Sequence, residues 1–413
     1  MKIRCQPADF QVEELTARQP LSGNFALYRL MKRSLGTLEA VDEIVSRWQL
    51  RRDSLSFGGL KDRHAITLQH LTIDNGPREN LRGESLELEY LGQTSTPFTP
   101  HDISGNRFEL VMRDLSYAEC EFADRSLESL RATGLPNYFD DQRFGSVGQS
   151  GEFIAVPWCL GDYERALWLA LAEPHDDDDP GERDQKQILQ TNWGNWPVCL
   201  RLLRRSYRHS IVLFLAGKRN KATNPPSQSS ANAQESDIVP AVTDFRGGVA
   251  RMKTDLRGLY LAAFQSHLWN RMLATFLRQS CQSSELFDVP LQMGAVPFLR
   301  RLSEKQLGQF STTLLPLPSA RQNLTEGPIR TLTENVVREF GLEIRQLRVA
   351  YPRGNFFPKG ERPILLQPTD LESEFDADQL YPGKHRLALR FELPRGSYAT
   401  ILVKRLTLPA QSK

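Results

Sequence analysis

The chain has 413 residues, of which 40% are hydrophobic and 25% are charged, proportions typical of soluble globular proteins. This length exceeds what one ordinary hydrophobic core supports, so it predicts two domains or one domain with a large insertion. Lys and Arg number 52 against 50 Asp and Glu, a formal net charge of +2, which excludes a strongly basic nucleic-acid coat protein but leaves a local basic groove open.

The cysteines and histidines indicate neither disulfides nor a metal site. The five cysteines are odd in number and scattered, as expected for free, buried thiols in a reducing compartment. The seven histidines form no H-x-x-x-H or H-x-x-C pair, the spacing that zinc sites use. The N-terminus, MKIRCQPADFQVEEL, has no apolar segment of a signal peptide, and no stretch has the apolar length of a membrane span. We therefore expect a cytoplasmic protein.

The first 160 residues predict alternating strands and helices. Thr37 precedes apolar residues at helical spacing, and is a candidate N-cap. Gly58 and Gly59 predict a tight turn or a close ligand between two strands. The predicted elements are a helix over 38–45, strands over 55–60, 67–73 and 85–113, and a helix over 117–133 that ends near Gly134 and Pro136.

The composition changes after residue 160, where we expect a domain boundary. Residues 173–186 form an acidic run, and residues 221–238 are rich in Pro, Ser, Asn and Gln, which predicts a mobile loop. The basic run at 201–221 fits either a phosphate-binding surface or an ordinary solvated helix face. The later predicted elements are helices over 162–172, 254–279 and 331–340, and strand-like material after 365, notably HRLALRFELPRGSYATILVKRLTL.

The segment FGGLKDRHAITLQ, residues 57–69, places Asp62 on a glycine-rich turn between two predicted strands. A carboxylate there can act as a nucleophile or general base on a ligand that approaches the backbone. Lys61 and Arg63 flank it, and their charges favour an ionised carboxylate if the chain turns so that they face it. An ordinary hairpin turn, in which Gly, Asp and Lys are common, explains the same pattern.

The segment NYFDDQRFG, residues 137–145, combines aromatic rings with amides and an arginine. Asn137, Phe139 and Arg143 suit a flat, hydrogen-bonding ligand such as a nucleobase. A loop that packs its aromatic rings onto the core and caps a helix fits the pattern equally well.

Together these two segments resemble the tRNA pseudouridine synthase D (TruD) family. GGLKDRHAITLQ is similar to that family's catalytic G-x-KD-x-x-A-x-T-x-Q segment, and NYFDDQRFG to its N-Y-F-x-x-QRFG segment. Weaker similarities follow in order along nearly the whole chain: DFQVEEL, LYRLMKRSLGTLEA, AFQSHLWN, LRVAYP, GERPILLQP and LRFELPRGSYAT. The chain departs from the family pattern at Asp140, where Gly is common, at Phe264 and Trp269, where Tyr and Phe are usual, and at Lys404 and Arg405, where an acidic residue is expected.

The resemblance implies roles for particular residues. Asp62 would be the catalytic aspartate, Phe139 the aromatic ring that stacks on the target uracil, and Asn137 its supporting amide. Lys32, Lys61 and Phe391 fall on other active-site positions, and Lys32, Arg143 and the 201–221 run are candidates for contacts with RNA phosphates. The implied fold is mixed α/β: a pseudouridine-synthase catalytic domain with a central antiparallel sheet, formed by 1–162 and 363–413, interrupted by a TruD-type insertion domain at 163–362.

The implied reaction isomerises a uridine in RNA to pseudouridine, usually uridine 13 of a tRNA. The resemblance implies no cofactor, no association with a membrane and no obligatory protein partner. One carboxylate near C1′ is required; it could attack C1′ or take the C2′ proton to give a glycal. Two other functions remain open. One is an RNA-binding protein without catalysis, and the other is a carboxylate-dependent glycoside or nucleoside hydrolase in which Asp140 or Asp141 supplies the second acid.

Overall fold

The computed structural model describes residues 1–217 and 243–407, so the predicted loop at 221–238 and the end of the basic run lie outside the described residues. In the two described ranges, no helix is long and apolar enough to cross a membrane.

The strands are β1 (Lys2–Ile3), β2 (Phe10–Thr16), β3 (Phe25–Arg33), β4 (Leu55–Phe57), β5 (Ile66–Asp74), β6 (Leu81–Arg82), β7 (Leu86–Thr94), β8 (Ile103–Leu115), β9 (Leu135–Pro136), β10 (Leu286–Leu291), β11 (Gly294–Leu299), β12 (Leu314–Pro316), β13 (Glu361–Pro363), β14 (Leu365–Leu366), β15 (Thr369–Ala377) and β16 (His385–Pro394). The helices are α1 (Thr37–Trp48), α2 (Tyr117–Thr133), α3 (Ala155–Leu160), α4 (Tyr163–Leu171), α5 (Pro180–Asn192), α6 (Trp196–Leu202), α7 (Tyr207–Leu215), α8 (Phe245–Arg251), α9 (Thr254–Ser280), α10 (Glu304–Thr312), α11 (Pro328–Arg338) and α12 (Ala399–Thr407).

A large sheet organises the fold, with strand order β15-β16-β8-β2-β5-β3-β7-β6 and with β1 and β4 added beside β8 and β5. Its strands pair antiparallel except β2 and β5, which run parallel, so the predicted mixed α/β class is confirmed. Residues directly opposite one another across a sheet point to the same face. One row across the sheet is Lys32, Thr67, Val12, Phe108 and Phe391.

The two faces of the sheet differ in what covers them. Three helices, α1, α2 and α12, pack on the face of that row, where Val41 and Ile44 of α1 are fully buried against strand residues such as Leu30. Each such side chain contributes about 1.5–3 kcal/mol by leaving water. The opposite face carries ion pairs, for example Arg107 with Glu13 and Glu392. The covered face is therefore the one on which a water-poor site can form.

The long helix α9 links the sheet to the helical half of the chain. Phe264 and Trp269 of α9 are fully buried in the same hydrophobic cluster as Phe139 and Phe144, which follow α2, and as residues of α4 and α7. The predicted helix over 254–279 is confirmed by α9. Because this core is continuous, the helical half holds the 137–145 loop rigidly against the sheet.

Two local predictions are wrong. The stretch after residue 385 is not strand throughout: β16 ends at Pro394, Gly396 takes a left-handed φ of 81°, and α12 follows. Leu402 and Leu406 are buried, and their spacing of four places them on one helix face. Thr37 is not the N-cap of α1, which is Gly36. Its hydroxyl instead accepts from the Lys61 N–H at 2.9 Å and donates to Gln69 at 3.0 Å.

Candidate active site

Asp62 lies in the turn between β4 and β5, with its carboxylate held at both oxygens. Oδ2 is 2.7 Å from the Arg4 guanidinium, and Oδ1 accepts the backbone N–H of His64 at 2.9 Å. The second contact is the local turn that an aspartate makes with its own backbone two residues on. The side chain is 24% exposed. The carboxylate is thus fixed in direction yet open to a ligand, as a nucleophile or general base must be.

Arg4 is the residue at this site that the sequence patterns do not indicate. It lies between β1 and β2, where its guanidinium also covers the ring of Phe10 at 4.2 Å. The flanking charges that the sequence suggested for this role have other partners: Arg63 pairs with Glu39 at 2.9 Å and Lys61 with Glu14. The cation against Asp62 therefore comes from a distant part of the chain.

Lys32 lies beneath the Asp62 turn. Its side chain is fully buried, and its ammonium group donates to the carbonyl oxygens of Leu35 at 2.7 Å and Asp62 at 2.8 Å. Burial lowers the pKa of Lys32 to about 8, although the negative charges of Asp62 and Glu39 oppose this shift. These contacts suit a group that fixes the turn; direct contact with RNA stays a prediction.

Lys61 is fixed by the neighbouring strands. Its ammonium group is 3.1 Å from the Glu14 carboxylate on β2 and donates to Asn106 on β8 at 2.7 Å. Burial acts to raise the pKa of Glu14, but hydrogen bonds from His70 and the charge of Lys61 outweigh it and lower the pKa overall. A buried, ionised Glu14 thus anchors the residue next to Asp62 to the sheet.

Phe139 lies in an aromatic pocket at the loop after α2. Asn270 of α9 holds its backbone twice, accepting the Phe139 N–H and donating to its carbonyl oxygen, both at 2.8 Å. The rings of Trp269 and Tyr398 pack edge-on against it, with centroids at 5.7 and 6.0 Å. The Arg362 guanidinium lies 4.2 Å from the ring centroid. The ring is therefore fixed from several sides before any ligand arrives.

Arg362 connects this pocket to Asn137. It donates to the Asn137 carbonyl oxygen at 3.0 Å and to the Asn137 side-chain oxygen, while the Asn137 amide donates to the Pro363 carbonyl at 2.9 Å. Burial lowers the pKa of Arg362 to about 10, with repulsion from Arg143 acting in the same direction. The sequence motif GERPILLQP contains Arg362, but its spacing does not indicate this role.

The remaining predicted site residues occupy two different environments. Phe391 is fully buried and stacks on Phe108 at 5.4 Å in the sheet core, so its contact with a substrate stays a prediction. Arg143 lies 5.7 Å from the Phe139 ring and lines a cleft of about 690 Å³. Arg208 of the predicted basic run lines the same cleft, where it pairs with Glu182 at 2.8 Å.

Comparison with known proteins identifies the family of this chain. The sequence model of the family tRNA pseudouridine synthase D (TruD) matches residues 1–406. The chain belongs to the TruD family. As a member of it, the chain is a pseudouridine synthase, which is an isomerase.

Individual TruD proteins are similar to this chain over its whole length. The tRNA pseudouridine synthase D of Leptospira interrogans is 28% identical, covering 98% of this chain and 96% of its own. That of Aquifex aeolicus is 25% identical, covering 98% of each. A TruD crystal structure from Methanosarcina mazei superimposes with a TM-score of 0.69 at 21% identity, covering 98% of this chain and 93% of that one. The fold is therefore that of TruD.

Two residues at which the sequence was expected to depart from the TruD pattern, Asp140 and Lys404, contact each other. The carboxylate of Asp140 pairs with Lys404 of α12 and accepts from Thr400 at 2.7 Å. Asp141 pairs with the same Lys404 at 2.6 Å. The Asp140 side chain is buried by these contacts. It therefore clamps α12 to the loop that carries Phe139, rather than standing free as an acid.

Proposed function

We propose that this protein converts a uridine of tRNA, at position 13, to pseudouridine with Asp62 as the catalytic carboxylate. The observation that carries the proposal is the geometry of Asp62: a partly exposed carboxylate, oriented by Arg4 and by the His64 N–H. The names of its relatives, tRNA pseudouridine synthases, supply the substrate class.

The reaction breaks the bond from C1′ to N1 of uracil and forms one from C1′ to C5. The C5 proton leaves and N1 takes up a proton, so no redox partner is required. Asp62 either attacks C1′ or removes the C2′ proton, and it is also the candidate base for the C5 proton. Arg4 holds one oxygen at 2.7 Å, which keeps the carboxylate in a single direction while the base turns.

The detached uracil must be held without a polar group that fixes one orientation. Phe139 is the proposed surface, because its ring carries no polar group and its backbone is bound by Asn270. The ring is 8% exposed and lies under the Arg362 guanidinium, so Arg362 has to move aside for a base to stack on it. A pocket of aromatic rings also excludes water, which would otherwise hydrolyse the intermediate. Stacking on such a ring contributes about 1–3 kcal/mol per base, which offsets part of the few kcal/mol that base extrusion costs.

The proposal includes the division into a catalytic domain, 1–162 and 363–413, and an insertion domain, 163–362. The large sheet is built from residues of the first part alone. The cleft beside Phe139 is lined from both parts, by Arg143 and Tyr398 of the first and by Arg208 and Tyr260 of the second. Such a cleft suits the strand of tRNA that flanks the extruded base.

The test is pseudouridine formation in unmodified tRNA transcripts, mapped base by base. We expect product at uridine 13. Product at another uridine would change the proposed target position and leave the proposed activity intact. An absence of product on every tRNA, with intact binding, would contradict the enzymatic proposal and favour an RNA-binding protein without catalysis.

Replacing Asp140 by Asn separates a synthase from a hydrolase. A two-carboxylate hydrolase would lose activity by orders of magnitude, because Asp140 would be its second acid. In a synthase, the change removes a charge from the Lys404 clamp, so we expect kcat within about fivefold of wild type and a lower Tm. The measurement is pseudouridine and free uracil on the same tRNA; release of free uracil by wild type, lost in the variant, would contradict the synthase.

Replacing Lys32 by Met tests whether this lysine positions the turn or contacts RNA. The change removes a charged donor from the carbonyl oxygens of Leu35 and Asp62, so we expect kcat to fall by roughly 10- to 100-fold with an unchanged KM for tRNA. The matched control is Lys305→Met, at an exposed lysine of α10. A higher KM with an unchanged kcat would instead assign Lys32 to RNA binding.

A further inference from the structure

A second cavity, of about 230 Å³, lies between α2, the β10–β11 hairpin and α12. No residue of the Asp62 turn or of the Phe139 loop lines it. Its polar lining consists of three arginines and two serines, Arg125, Arg300, Arg405, Ser126 and Ser129. Pockets that hold drug-sized ligands measure about 300–1,000 Å³, so this cavity suits a small ion or a single group of a larger ligand.

Arg405 is the unusual member of this cluster. Its side chain is only 4% exposed, and it donates to the Ser129 hydroxyl at 3.0 Å and to the Leu299 carbonyl at 3.2 Å. Among the residues that the structure describes, its buried Nε has no hydrogen-bond partner. Its guanidinium lies 4.4 Å from the Phe287 ring, and that of Arg300 lies 5.1 Å from the same ring. Two positive charges thus converge on one side of this cavity.

Within residues 1–217 and 243–407, none of these three arginines forms an ion pair with a carboxylate. A buried charge is costly unless it is paired, and a second like charge nearby adds to that cost. Burial, with repulsion from Arg300, lowers the pKa of Arg405 to about 10. The buried Arg405 guanidinium, with exposed Arg300 beside it, therefore forms a positively charged lining that favours an anionic group.

We propose that this cavity binds a phosphate group. Guanidinium forks match the oxygens of phosphate and bind them through charge-assisted hydrogen bonds, and the unpartnered Nε of Arg405 and the hydroxyl of Ser126 supply further donors. The group belongs either to the RNA backbone or to free phosphate and its small esters.

Phosphate bound in this cavity would also stabilise the aromatic pocket around Phe139, through α12. Arg405 lies near the end of α12, whose first turn bonds Asp140 through Thr400 at 2.7 Å, and Tyr398, just before α12, packs on Phe139. An anion that pairs with Arg405 therefore fixes the helix that supports this pocket.

The test is thermal unfolding of the full chain, titrated with inorganic phosphate up to about 50 mM at constant ionic strength. We expect a saturable rise in the Tm of wild type, none in Arg405→Met, and an affinity about tenfold weaker in Arg300→Gln. Arg300 is exposed, so its variant reports on the site even if Arg405→Met folds poorly. The matched control, Arg301→Gln, changes an exposed neighbour outside the cavity and keeps the full response.

The salt dependence of tRNA binding distinguishes the two sources. If the phosphate comes from RNA, Arg300→Gln lowers the slope of log affinity against log salt by about one unit and inorganic phosphate competes with tRNA. If it comes from a free anion, the slope is unchanged and only the Tm response is lost. The proposal is overturned if phosphate raises the Tm equally in wild type and in all three variants. It is also overturned if phosphate does not raise the Tm of wild type and Arg300→Gln leaves the salt slope of tRNA binding unchanged.

Discussion

Replacement of Asp62 by Asn is expected to abolish pseudouridine formation. Asparagine has nearly the same shape and can still accept the His64 N–H, but it can neither attack C1′ nor take a proton. Losses on removal of an essential catalytic group reach roughly four to six orders of magnitude in kcat. The fold should be unaffected, because this side chain is partly exposed and lies in a turn. The measurement is single-turnover pseudouridine formation on tRNA, with tRNA binding measured in parallel.

The control for this change is Asp53→Asn, which removes the same charge from an exposed aspartate in the turn before β4. It should keep wild-type activity, whereas Asp62→Asn should bind tRNA normally and make no product. If Asp62→Asn retained more than about a tenth of wild-type activity, another group would carry the chemistry and the assignment of Asp62 would be wrong.

Features that depend on neighbouring residues could be predicted from the sequence. The helix α9 follows from apolar residues that repeat at helical spacing around Phe264 and Leu268. The turn that carries Asp62 could be predicted from Gly58 and Gly59, which follow β4 directly. In both cases the residues that determine the element lie close together in the sequence, so the element could be predicted without knowing the tertiary fold.

Contacts between distant segments could not be predicted in this way. Arg4 reaches Asp62 only because β2 and β5 are neighbours in the sheet, and Arg362 reaches Asn137 only because β14 pairs with β9. Nothing in the spacing of these residues indicates either pairing. The segment that forms α12 was predicted wrongly for another reason. Short apolar runs such as ILV at 401–403 fit the strand period and the helix period equally well, and packing on α2 decided between them.

The largest loss of stability is expected from Arg113→Met. Arg113 of β8 is 4% exposed and pairs with two buried carboxylates, Asp9 at 2.8 Å and Asp378 at 3.0 Å. Its removal leaves both without a cation, and breaking a buried pair costs about 3–5 kcal/mol. Chemical denaturation should report a loss of this size. Asp9→Asn combined with Asp378→Asn should restore part of it, because the buried charges are then gone.

The same cluster predicts the response to acid. Burial acts to raise the pKa of Asp378, but the N–H groups of Asp114 and Leu380 and the charge of Arg113 outweigh it and lower the pKa overall. A carboxyl whose folded pKa is lowered stabilises the protein above its unfolded value, about 3.9, and this stability is lost as the pH falls through the folded pKa. Wild type should therefore resist mild acid, and a pH scan should show the loss of stability only below about pH 4.

Arg107→Met is the matched control, because Arg107 lies on the same strand and also pairs with two carboxylates, Glu13 and Glu392, but is 31% exposed. Exposed pairs contribute about 0–1 kcal/mol, so equal losses in the two variants would show that burial does not set the effect. Asp9 lies between Arg4 and β2. Loss of its partner should release the segment that places Arg4 against Asp62, so Arg113→Met should lower kcat at temperatures where the protein is still folded.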